Sequence, residues 1–115
     1  MDNRPTNLLV LIPWESISSE RAAHFEQELA REVAPHHALF GRPIKAIAIT
    51  RETDDVLFQL GDGTFAQVHL TYTSHPPETA AGYPRHRAFE TLADWMLQRM
   101  IPEHVDRLGL WNDGW

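Results

Sequence analysis

Three β-prone stretches, Ile44–Thr50, Asp55–Leu60 and residues 64–73, follow one another with only Arg51 to Asp54 and Gly61-Asp62-Gly63 between them. A parallel crossover needs a dozen residues or more, so links of four and three residues permit only antiparallel hairpins. Register follows from the faces. A two-residue Asp62-Gly63 turn would set Val56, Phe58 and Leu60 on the face of Phe65, Gln67 and His69. A three-residue loop with Gly63 left-handed sets them with Ala66, Val68 and Leu70, gathers the apolar side chains on one face, and is the register expected. A four-residue loop at 51–54 then puts Ile47 and Ile49 opposite Phe58 and Val56. The expected core face carries Ile47, Ile49, Val56, Phe58, Leu60, Ala66, Val68, Leu70 and Tyr72. The other face is mixed: Ala46, Ala48, Thr50, Asp55, Leu57, Gln59, Phe65, Gln67, His69 and Thr71.

The remainder of the chain is helical or irregular. Ser16 and Ser18 are candidate N-caps, and Ala22, Phe25, Leu29 and Val33 recur at spacings of three and four, which predicts an amphipathic helix over residues 18–33 that stops before Pro35. Residues 6–12 form a short apolar stretch closed by Pro13, either an edge strand or an arm. Residues 74–84, with Pro76-Pro77 and Gly82, read as an extended excursion. Thr91 and Asp94 offer a capping box for a helix over 91–101, and Pro102 and Gly109 bracket a short helix over 102–108. Trp111 to Trp115 is a tail. The expectation is one α+β domain over 1–115: a three-stranded antiparallel meander packed on an N-terminal helix, with one or two C-terminal helices.

Several function classes are disfavoured by composition. The formal charge is −6 and the basic residues are scattered, whereas phosphate-backbone binding draws on clustered Lys and Arg. Nucleic acid is not an expected partner. The longest apolar run, Leu8 to Ile12, is far below the roughly 20 residues of a membrane span, so a soluble, cytoplasmic protein with no membrane partner is expected. The chain has no cysteine, which removes thiolate nucleophiles and thiolate metal sites. Seven histidines include the adjacent His36-His37, but they match no metal-ligand spacing, and neither metal nor cofactor is expected. No GxSxG elbow or phosphate-binding loop is present.

At Asp54-Asp55-Val56-Leu57-Phe58, Gly61-Asp62-Gly63 and Val68-His69-Leu70-Thr71-Tyr72, preceded by His37-Ala38-Leu39-Phe40-Gly41 and followed by Tyr83-Pro84 and Trp95, the chain resembles a group of small uncharacterised bacterial proteins. These carry an HPLYG-like loop, DDVLF, a DG turn and VHLTW. The resemblance covers about residues 20–97 and implies a self-standing bacterial domain, without implying a chemistry. Ala38 stands where the group has proline and Tyr72 where it has tryptophan.

The expected register sets Asp55 opposite His69, with Thr50 opposite Asp55 on the other side. A carboxylate beside an imidazole holds its tautomer, which suits a general base, a binding switch, or a structural cross-strand pair. Candidate binding residues on this face are Thr50, Gln59, Gln67, His69 and Thr71, with His69 and Asp55 the candidates for chemistry. Trp14, Trp111 and Trp115 lie outside the clean stripes; either Trp14 and Trp111 plug the ends of the core, or these residues mark a homodimer or partner contact. Two functions are open. One is a non-catalytic interaction module, an immunity or antitoxin-like inhibitor or an adaptor, binding another protein through the mixed sheet face and the excursion over 74–87, with its acidity suiting a basic one. The other is a small enzyme or ligand binder with its site around His69 and Asp55.

Overall fold

The computed structural model describes residues 10–72 and 84–109. The apolar stretch before Val10, most of the excursion and the tryptophan tail lie outside the described residues. The strands are β1 (Trp14–Ser16), β2 (Ile44–Thr50), β3 (Asp55–Leu60), β4 (Phe65–His69) and β5 (His86–Phe89), and α1 (Ser19–Glu32) lies between β1 and β2. After β5 come α2 (Leu92–Trp95), a π-helical turn (Met96–Met100) and α3 (Ile101–Arg107). The architecture is α+β, but the sheet has five antiparallel strands in the order β1-β2-β3-β4-β5, where three were expected. The two additional strands are the edges, three and four residues long.

The central hairpin follows the expected register. Gly63 takes φ +89, the Leu60 N–H donates to the Thr64 carbonyl at 2.8 Å, and Val56 pairs with Val68 and Phe58 with Ala66. Helix α1 is capped by Ser18, whose hydroxyl accepts the Arg21 N–H, and it lays Ala22, Leu29 and Val33 over Ile49, Val56, Phe58, Leu60, Val68 and Leu70.

Two members of the expected core face are elsewhere. A β-bulge between Ala46 and Ala48 inserts Ile47 as an extra residue, so Ala46 opposes Phe58 and Ala48 opposes Leu57. Ile47 therefore points to the sheet's other face, and Ala46 to the α1 face. The Glu26 carboxylate of α1 accepts the Ala46 N–H at 2.9 Å, giving this irregular point of the ladder a partner across the layer. Tyr72 lies beyond the end of β4, half exposed and at φ +53.

The mixed face is a second core. Ile47, Ala48, Leu57 and Phe65 pack with Trp14, Phe89, Trp95 and Met100, so the C-terminal helical run covers the side of the sheet that α1 does not. Trp14 is buried and meets Trp95 edge to face at 5.0 Å, with its indole N–H on Glu103 at 2.9 Å. It belongs to the core, not to an exposed contact. The Thr91 hydroxyl accepts the Asp94 N–H as the capping pattern predicts. Residues 92–107 then run on without a break, because every residue at the joins is right-handed helical. The wide turn sits directly before Pro102, where an α-turn would drive the ring into the carbonyl four residues back.

Strand β4 stops at His69 because the amides after Leu70 turn to α1. The buried Glu32 carboxyl accepts the N–H of Thr71 at 2.8 Å, its hydroxyl at 2.9 Å, and the N–H of Tyr72 at 2.8 Å. Thr71 is thus committed to the α1 side and does not share a face with His69.

Candidate functional site

The register that buries Val56 and Phe58 on one side necessarily aims Asp55, Leu57, Gln67 and His69 to the other. Asp55 pairs with His69, and Leu57 with Gln67. The four polar groups that result form one chain. The Trp95 indole N–H donates to Gln67 Oε1 at 3.0 Å, Gln67 Nε2 donates to Asp55 Oδ2 at 2.7 Å, and Asp55 Oδ1 lies 2.8 Å from His69 Nδ1.

Trp95 fixes the direction of this chain. An indole can only donate, so the Gln67 oxygen must face it and the Gln67 amide nitrogen must face Asp55. The Asp55 carboxylate then accepts on both oxygens, which requires Nδ1 of His69 to carry its hydrogen. In the neutral ring Nε2 is left with an open lone pair. Burial grades along the chain: Trp95 is fully buried, Gln67 nearly so, the Asp55 side chain is 15% exposed and that of His69 is 54% exposed. An imidazole of fixed tautomer therefore stands at the protein surface, anchored through three groups to the second core.

Beside it opens a cleft of about 380 Å³ between the β2–β3 turn and α3, lined by Thr50, Glu52, Asp55, Arg99, Glu103, Asp106 and Arg107, among others. Both arginines are neutralised, Arg99 by Glu103 and Arg107 by Glu52, each at 2.8 Å. Asp55 and Asp106 leave the cleft with net negative charge. Asp55 lines it, whereas His69 stands outside it.

Of the other sequence candidates, Thr50 is opposite Asp55 and buried, but its hydroxyl accepts from the Glu52 N–H at 3.4 Å and not from the pair. Gln59 is on the same face two pairs along and faces a different cleft, with Lys45. Trp95 was the member missed. The signal for it was present: a buried indole requires an acceptor, and Gln67 is the inward polar residue of β4.

A second histidine has an assigned tautomer. His37, buried in the loop after α1, accepts the Leu39 N–H on Nδ1 at 3.0 Å and donates from Nε2 to the Pro84 carbonyl at 2.8 Å. It joins the loop after α1 to the Pro84 segment, and both ring nitrogens are consumed. Burial, with the nearby His37, holds the His86 imidazole below its ordinary range. Among the described residues no group of three or more acidic or histidine side chains is placed to hold a metal ion, and no helix is long and apolar enough to cross a membrane.

No family model, no curated protein and no solved structure matches the chain.

Proposed function

We propose that the chain is a small non-catalytic interaction module, of the inhibitor or adaptor kind, which meets a basic partner protein with the surface around His69. The observation that carries this reading is the directed Trp95-Gln67-Asp55-His69 chain, which ends in an outward hydrogen-bond acceptor beside an acidic cleft. An acceptor held on rigid strands next to a cleft of net negative charge suits a guanidinium or ammonium group. The surface differs from the one read from sequence, since the mixed sheet face is covered by the protein's own C-terminal helices. The catalytic alternative has less behind it. His69 is open to water, and its carboxylate partner Asp55 already accepts on both oxygens, whereas acid–base catalysis works best in a water-excluded site.

The test is a titration with an arginine-rich peptide, followed by amide chemical shifts. Saturable shifts concentrated at Asp55, Gln67 and His69, with His69→Gln and Asp55→Asn each weakening affinity about tenfold, are expected from loss of one charge-assisted hydrogen bond. Shifts spread over the whole acidic surface, with affinity unchanged in both variants, would overturn the proposal.

A further inference from the structure

A second cleft lies at the opposite end of the same strand pair. Lys45 and Gln59 are directly opposed on β2 and β3, so their side chains share a face. Together they line an opening of about 290 Å³ with apolar walls at Pro43, Ile44 and Leu60. Gly61 and Gly63 complete its margin without side chains. A side chain at Gly61 would press on Pro43 at 3.1 Å.

Three features mark this cleft as incomplete. Lys45 is the single lysine of the chain, and it enters none of the ion pairs formed among the described residues. The neighbouring Arg42 is neutralised by Asp62 at 2.8 Å, so among the described residues that line the cleft the charge is that of Lys45, positive in a chain of net charge −6. The Gln59 side-chain oxygen is buried with no hydrogen-bond partner, a situation native proteins generally avoid because an unmet buried acceptor is costly. Gln59 itself lines the cleft, and the torsion of its terminal amide is soft.

We infer that this cleft binds the carboxylate of an N-acylated amino acid, either as a free small molecule or as the C-terminus of a polypeptide. The carboxylate meets the Lys45 ammonium, the adjacent amide N–H meets the Gln59 oxygen, and an apolar side chain lies on Pro43 and Ile44. The opening is at the small end of ligand sites, which fits one or two residues and not an extended peptide.

The probe is N-acetyl-leucine, with N-acetyl-leucinamide as the uncharged analogue, titrated against the full chain while the Lys45, Gly61 and Gly63 amides and the Gln59 side-chain amide are followed by NMR. N-acetyl-leucine is expected to move these signals saturably, the amide analogue to bind at least about tenfold more weakly, and Lys45→Gln to lose a similar factor, for one charge-assisted contact. Lys45→Arg should retain most of the affinity. A peptide ending in leucine distinguishes the sources: tighter binding than N-acetyl-leucine identifies a polypeptide C-terminus, and equal binding a small molecule. Equal response to the acid and the amide, or no response at these residues, would overturn the inference. The comparison of the two ligands uses unaltered protein and does not depend on the variants folding.

Discussion

Replacing Glu32 tests the clasp that ends β4 and so positions His69. In Glu32→Ala the N–H groups of Thr71 and Tyr72 lose their acceptor, while the Thr71 hydroxyl can turn to water. An orphaned buried donor costs about 1–3 kcal/mol. These amides are only partly buried, and release of Tyr72 from φ +53 returns some strain. The expected loss is therefore about 2–4 kcal/mol, a large share of an ordinary domain's 5–15. Glu32→Gln keeps one oxygen for Thr71 and should cost about 1 kcal/mol.

The pH dependence has a definite sign. Burial, followed by a hydrogen bond with Glu28, raises the Glu32 carboxyl above its ordinary range, against the pull of the Thr71 and Tyr72 donors. A group raised in the folded state contributes stability that is fully present below its unfolded pKa and is lost as pH rises through the folded value. Burial also pushes Glu28 up, but its hydrogen bonds with Arg31 and Glu32 and the Arg31 charge prevail, so its net shift is downward. Its contribution runs the opposite way, fading on acidification. Urea unfolding followed by tryptophan fluorescence, at about pH 4 and about pH 8, should show the wild-type advantage over Glu32→Gln shrinking as pH rises. An advantage that widens toward pH 8 would mean that Glu32 is ionised and held down by its donors, and would refute the reasoning.

Phe58→Ala removes a fully buried ring from the α1 core and should cost about 3–5 kcal/mol in chemical denaturation; a cost near zero would contradict the packing of β3. Trp95→Phe keeps the aromatic packing but orphans Gln67 Oε1, with an expected loss of about 1–3 kcal/mol and a changed Nδ1–H signal at His69 in NMR. An unmoved His69 signal would show that the chain does not transmit orientation.

Where local chemistry decided the outcome, the sequence was enough. Gly63 could take the left-handed turn, and the resulting register brought Asp55 and His69 together; Thr91 capped its helix where hydroxyl spacing indicated, and of the two candidates Ser16 and Ser18 it is Ser18 that caps α1. What escaped was decided by contacts distant in sequence. Ile47 leaves the expected face because a bulge is accommodated at Ala46, where Glu26 of another layer supplies an acceptor. Neither β1 nor β5 has the length or alternation that announces a strand; each exists because a neighbouring strand offers it a ladder. Thr71 left the predicted face for the same reason, drawn to Glu32 from 39 residues away.

The candidate site itself follows from covering the mixed face. Leu57, Phe65 and Ala48 require burial, and the C-terminal helices provide it, but doing so also buries Gln67, which brings both donors and an acceptor into an apolar layer. Trp95 satisfies the acceptor and Asp55 one donor. A partly buried carboxylate in turn requires further donors, and the cross-strand neighbour able to give one is His69. Each link therefore resolves the polar demand left by the one before, and the chain stops only where water can meet the last group. That end point is why the imidazole at the surface has a fixed tautomer, and why a change in the second core, at Trp95, should be felt at the place where a partner would bind.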